Sequence, residues 1–169
     1  DLENLTKFGV PVVVAINKFA TDSVQEIEMV TNHCKEKGIS CAVSNVFSEG
    51  GNGGRELASK VLDVLLNKRS DFRFLYEKEL PIKDKIRIIA TQIYGARDVR
   101  YVGNADRDIR AIEKAGNNEL PICMAKTQYS FSDNPKLKGA PKDWTLNVKE
   151  VNLSAGAGFI VPLCGDITL

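Results

Sequence analysis

The chain is short of charge asymmetry, histidine, paired cysteines and long apolar runs, and each shortage excludes a class of function. Its 23 Lys and Arg residues are matched by 22 Asp and Glu, for a formal net charge of +1. Such a balance leaves no electrostatic footprint for nucleic acid or for an anionic membrane surface. No apolar run approaches the roughly 20 residues needed to cross a bilayer, and the opening residues Asp1-Leu2-Glu3-Asn4 do not resemble a secretory leader. The 4 cysteines, Cys34, Cys41, Cys123 and Cys164, are scattered without a CxxC spacing, and His33 is the only histidine. That pattern does not match the usual zinc spacings. A catalytic thiol would lack a base, because His33 and Cys34 are consecutive in a helix and diverge from each other. We therefore expect buried free thiols in a reducing cytoplasm, a surface His33, and no metal, nucleic-acid or membrane partner. Gly-Lys-Ser and Gly-Lys-Thr are also absent, so the chain has no Walker-type phosphate loop.

What is there is a soluble globular composition, 43% hydrophobic and 27% charged over 169 residues. That length suits one medium domain or two small ones. The β-branched run Pro11-Val12-Val13-Val14-Ala15-Ile16 reads as a strand covered on both faces, as a parallel sheet requires. Ligands of open α/β sheets bind beyond the carboxyl ends of such strands. Asn17-Lys18-Phe19-Ala20-Thr21-Asp22 follows at that place. It is similar to the Asn-Lys-x-Asp base-reading loop of P-loop proteins, with the acid two residues late and a phenyl ring before it.

The next segment, Ser23 to Lys37, is predicted helical: Val24, Ile27, Val30 and Cys34 recur at spacings of three and four, Asp22 or Ser23 can cap its start, and Gly38 can end it. Ser40-Cys41-Ala42-Val43-Ser44 then reads as a strand running into Asn45-Val46-Phe47 and the loop Gly50-Gly51-Asn52-Gly53-Gly54. Strand, helix, strand is a βαβ unit whose two strand ends lie on one side of the sheet. Phe19 and Phe47 can then flank one crevice and clamp a flat heterocycle by stacking. The alternative is that both rings are ordinary core aromatics.

Further on, Arg55 to Asn67 is predicted helical with Leu57, Val61, Val64 and Leu65 on one face, and the glycines before it can offer N–H groups to an anion. Residues Asp71 to Leu80 read as extended. A long helix is expected from Ile82 to Tyr94, striped by Ile82, Ile86, Ile89 and Ile93 and stopped by Gly95, and a shorter one from Ala105 to Ala115. Leu120 to Ala125 reads as another buried strand, opening into a loop from Lys126 to Pro135 that is rich in donors. If the three apolar strands are parallel neighbours, their three loops share a crevice. Lys126 can meet a phosphate or carboxylate, or be a solvated strand-end lysine; Tyr129 can donate to a ligand or pack at the loop base. Trp144 to Leu153 alternates, and with Phe159 to Leu163 it can form a hairpin across Ser154 to Gly158. The glycines there can instead admit a ligand to the backbone. Both ends of the chain are abrupt, so we expect a piece of a longer protein.

The fold expected is α/β: a mostly parallel sheet with helices on both faces, P-loop NTPase-like, ending in a β-hairpin region. Residues 1–70 are expected to form a βαβα unit carrying the ligand loops, and 71–169 an α/β continuation.

The segments Lys7 to Asn17, Gly50 to Gly54, Lys83-Asp84-Lys85-Ile86, Ile93-Tyr94-Gly95-Ala96, Leu120 to Ser130 and Leu153 to Ile160 resemble, in order, the formate–tetrahydrofolate ligase family. The resemblance runs the length of this chain but covers only the C-terminal part of the family's sequence; the N-terminal nucleotide domain has no counterpart here. It implies an ATP-dependent ligase in which formate attacks the γ-phosphate and the folate amine then attacks the formyl carbon of formyl phosphate. MgATP and tetrahydrofolate are implied as substrates of the full-length enzyme, with neither held tightly by this piece, which is expected to be inactive alone. The family is expected to be cytoplasmic and homo-oligomeric, with formate, ATP and tetrahydrofolate as its small-molecule partners. Phe19 and Phe47 match the positions that clamp the pterin ring. Asn17, Asp22, Gly50, Gly51, Lys126 and Tyr129 are further candidate substrate contacts, and no residue is assigned a catalytic role. The competing reading is a non-catalytic ligand-binding or scaffold domain of similar fold.

Overall fold

A computed structural model of the chain describes residues 2–166. The chain divides into two compact units, Asp1–Arg73 and Phe74–Leu169. It is a mixed α/β structure, but hydrogen bonding divides the strands between two sheets instead of the one mostly parallel sheet expected.

In the first unit, helix α1 (Leu2–Thr6) runs into strand β1 (Val13–Asn17), helix α2 (Val24–Glu36), strand β2 (Ser40–Ser44), the single-turn helix α3 (Val46–Glu49), a 3-10 turn at Gly50–Gly54, and helix α4 (Arg55–Asn67). Strands β1 and β2 pair in parallel from Val13 opposite Ser40 to Asn17 opposite Ser44. This is the predicted βαβ unit. Ser23 is the helix cap: its hydroxyl accepts from the Glu26 N–H while the Glu26 carboxylate accepts from the Ser23 N–H. At the other end Gly38 takes the left-handed conformation, φ 67°, and its N–H donates to the Lys35 carbonyl while that of Ile39 donates to Cys34. This is the arrangement that closes a helix with glycine.

After α1, Gly9 takes a left-handed conformation, φ 69°, and its lack of a side chain is also required. A side chain there would place Cβ 1.9 Å from the Asp71 carbonyl oxygen, because the two backbones bond directly through the Asp71 N–H and Gly9 carbonyl. The coverage expected of this unit is only partly found. Among its described residues the buried apolar side chains are Cys34, Ala42 and Val64, while Val24 and Val30 of α2 and Val61 and Leu65 of α4 are exposed. Ala15 of β1 is exposed as well.

The second unit contains helix α5 (Ile82–Ile88), which relaxes into a π-turn at Ile89–Ile93, strand β3 (Asp98–Tyr101), helix α6 (Ala105–Lys114), and the hairpin β4 (Thr145–Ser154) and β5 (Phe159–Cys164). The sheet order is β3-β4-β5, with β3 parallel and β5 antiparallel to β4. Leu120 to Ala125 forms no strand. It touches β5 by isolated bridges, Ile122 to Ile160 and Ala125 to Leu163, so the third apolar run is not a neighbour of β1 and β2 in one sheet.

The core gathers Ile82, Ile86 and Ala90 with Ala105, Ile109 and Ile112 of α6 and Leu146, Val148, Val151 and Ile160 of the sheet. On β4 the buried positions change parity, from Leu146 and Val148 to Val151, because the register slips between Val148 and Glu150. One extra residue turns the next side chains to the opposite face. Lys85 is wholly buried in α5. Its ammonium donates to the carbonyls of Lys78, Asn118 and Leu120, and desolvation holds its pKa below the usual lysine range.

Candidate functional site

Strand β1 delivers Phe19 and strand β2 delivers Phe47, each within a few residues of its carboxyl end. The pairing continues one step past the strands, since the Lys18 N–H donates to the Ser44 carbonyl at 3.0 Å. Two loops leaving adjacent parallel strands therefore start side by side. Their rings meet with centroids 6.2 Å apart and planes inclined by 48°. Phe19 is 48% exposed and Phe47 84%, so neither ring is buried in this unit.

Contact of this kind between two rings is favourable in itself. A planar ring seated between them needs about 3.5–4.0 Å on each side, so roughly 7–8 Å overall and nearly parallel faces. At 6.2 Å and 48° the two rings stand against each other, closer and more tilted than that spacing.

Asp22 shapes the first loop. Its Oδ2 accepts from the Phe19 N–H at 2.8 Å, and its own N–H donates to the Phe19 carbonyl at 3.1 Å. This reciprocal closure across three residues has the same form as the Ser23–Glu26 box that follows it. Asn17 sits exposed at the end of β1, opposite the buried Ser44.

In the second loop, the short helix α3 and a 3-10 turn at Gly50–Gly54 lead directly into α4, so the glycines open the helix at Arg55 as expected. Gly50 has φ 58° and ψ −143°, a conformation that only glycine adopts without strain. The Asn45 N–H donates to the Gly53 carbonyl at 3.0 Å. A side chain at Gly53 would place Cβ 2.5 Å from that same Asn45 carbonyl group, so the loop carrying Phe47 closes on itself only with glycine here. Gly50 and Gly51 face open space.

In the second unit, Lys126 is half-buried. Its ammonium donates to the carbonyls of Thr127 and Ser130 and stands 4.9 Å from the centroid of the Tyr94 ring, with desolvation lowering its pKa. It is not the solvated strand-end lysine of one reading. The loop beyond it spends its donors internally: the buried Ser130 and Ser132 hydroxyls bond the Leu137 carbonyl, and the Asp133 carboxylate accepts from both the backbone and side-chain nitrogens of Asn147. Tyr129 is 65% exposed.

Cys34 and Cys164 are buried thiols as expected, but Cys123 is exposed and Cys41 intermediate. Burial pushes Cys164 up to about 12 and Cys41 up to about 11, so neither is a thiolate near neutral pH. His33 is exposed on α2. Among the described residues no group of three or more His, Cys, Asp or Glu comes together in a way that could hold a metal ion, and no helix is long and apolar enough to cross a membrane. The roles of Asp22 as a loop clasp and Gly53 as a closure point were missed from sequence. The signal available was an acid three residues after Phe19, the spacing of a reciprocal N-terminal box.

A parallel βαβ unit with exposed aromatic rings at both strand ends places the chain among α/β proteins. The family is set by comparison: a family model described as formate–tetrahydrofolate ligase matches residues 1–169, and the chain belongs to that family. Its members are ligases of one-carbon metabolism with ATP and tetrahydrofolate as substrates.

Proposed function

We propose that this chain supplies the folate-binding side of a formate–tetrahydrofolate ligase, with Phe19 and Phe47 as the two jaws that hold the pterin ring. The observation that carries this reading is the exposed ring pair, 6.2 Å apart, at the carboxyl ends of adjacent parallel strands. Family membership names the flat heterocycle that such a pair would take. The β1–α2–β2 unit is also compatible with part of a P-loop NTPase-like sheet, since ligands of those folds sit beyond the same strand ends.

In the reaction, the clamp orients tetrahydrofolate so that its amine nitrogen attacks the formyl carbon of formyl phosphate and phosphate leaves. The chain's share is binding and orientation: stacking fixes the plane of the pterin, and the exclusion of water between the rings strengthens polar contacts at its edge. Asn17 is the exposed polar group nearest β1's end, and Gly50 and Gly51 leave open space beside the second loop. Lys126 and Tyr129 are carried as candidate contacts within the second unit. Formation of formyl phosphate requires a γ-phosphate site, for which this sequence has no Gly-Lys-Ser or Gly-Lys-Thr loop. The chain alone is therefore proposed to be inactive, and the free thiols suit a cytoplasmic enzyme.

The test is titration of tetrahydrofolate and ATP with Phe19→Ala and Phe47→Ala variants of the complete ligase carrying this sequence. An aromatic stack contributes about 0.5–1.5 kcal/mol beyond area burial, so each variant should bind folate up to roughly tenfold more weakly and ATP unchanged. A folded alanine variant that binds folate like the parent overturns the clamp. Formate- and folate-dependent ATP hydrolysis by the purified 169-residue chain overturns the assignment of the phosphate chemistry to other residues.

A further inference from the structure

We infer that Asp22 is the positioning residue for Phe19: it acts on folate through the ring it holds and makes no contact with the ligand itself. The inference rests on the clamp reading above and deepens it. A phenyl ring on a loop is a useful jaw only if its backbone is fixed, because stacking fails when the ring plane wanders.

Phe19 is only partly packed, being about half exposed and set against the still more exposed Phe47 ring. What fixes it is hydrogen bonding on both of its backbone groups. The Phe19 N–H donates to Asp22 Oδ2 at 2.8 Å, and the Phe19 carbonyl accepts from the Asp22 N–H at 3.1 Å. The preceding residue is tied as well, through the Lys18 N–H and Ser44 carbonyl. On the far side, Asp22 abuts the Ser23–Glu26 cap that anchors α2. The loop is thus held from β2 at one end and from α2 at the other, with the Asp22 carboxylate as a side-chain clasp on the ring's own residue.

The carboxylate oxygen that closes the turn is committed to an N–H. The charge is incidental to that task, since an amide oxygen in the same place accepts the same bond. A direct contact with a ligand donor would depend on the charge. The two roles therefore differ in what asparagine does.

The experiment is tetrahydrofolate titration of Asp22→Ala, Asp22→Asn, Phe19→Ala and the Asp22→Ala/Phe19→Ala double variant in the complete ligase, with ATP affinity measured beside each. A hydrogen bond of this class corresponds to about a two- to tenfold effect. Asp22→Ala is expected to weaken folate binding by that factor and leave ATP alone. Asp22→Asn is expected to restore parental affinity, and in the Phe19→Ala background the loss of Asp22 is expected to change nothing further. If asparagine is as poor as alanine, or if the two losses add, Asp22 touches the ligand and the inference is overturned. If Phe19→Ala weakens folate but Asp22→Ala does not, the inference falls while the clamp stands. If Phe19→Ala itself has no effect, the clamp falls and takes the inference with it. A misfolded Asp22→Ala is recognised by lost ATP affinity, and failure of Asp22→Asn to restore folate binding then still decides against positioning.

Discussion

The units Asp1–Arg73 and Phe74–Leu169 both combine helices with a parallel strand pair, extended in the second by an antiparallel strand, yet they treat their apolar side chains in opposite ways. In the second, Ile82, Ile86, Leu146, Val148 and Ile160 are sealed from solvent. In the first, the described apolar residues that are buried are the smaller Cys34, Ala42 and Val64, while Leu62, Leu65 and Leu66 of α4 remain exposed. The difference teaches what an amphipathic pattern means. A stripe shows that a helix has an apolar face; burial depends on a surface opposite that face. The unit with the thinner interior also carries the exposed ring pair, held by backbone hydrogen bonds and glycines in place of packing.

The largest expected effect sharpens that contrast directly. Ile86→Ala should cost about 2–5 kcal/mol of stability, since a sealed side chain leaves a cavity. Leu66→Ala, at a side chain 82% exposed, should stay within about 0.5 kcal/mol. Denaturant unfolding of both variants checks this, and comparable losses would break the comparison. Smaller, and confined to the first unit, is Gly53→Ala. Its Cβ has 2.5 Å to the Asn45 carbonyl, so the Phe47 loop must shift at a cost of about 1–3 kcal/mol, with weaker folate binding. Gly51→Ala, with nothing within 4 Å, is the matched control and should be neutral in unfolding. The smallest is Ser23→Ala, which removes the α2 cap and should cost about 1 kcal/mol. An unchanged unfolding midpoint would show that the Glu26 half of the box suffices.

The sequence made the helices legible because their signals are local. Ser23, Gly38, Gly95 and Gly116 mark ends, and apolar spacing marks faces. The hairpin was legible from two alternating runs flanking small residues. Strand partners were not. β3, Asp98-Val99-Arg100-Tyr101, has no apolar run to announce it and pairs with a strand far along the chain. Leu120 to Ala125 has such a run but forms only bridges. Side-chain alternation reports which face a residue takes; it carries no information about which strand lies alongside. At the site, the rings were readable as residue types following strands. The clasp at Asp22 was not, because a hydrogen bond to a backbone N–H leaves no periodic trace.

The division of the chain also has an optical consequence. All 4 tyrosines, Tyr76, Tyr94, Tyr101 and Tyr129, and the single tryptophan, Trp144, belong to the second unit. Ultraviolet emission excited at the indole or phenol bands therefore reports Phe74–Leu169 alone, and the unit bearing Phe19 and Phe47 is dark. Phe47→Trp would place a lamp in that unit, enlarge the ring's stacking face, and let any change around the ring pair be followed without a label.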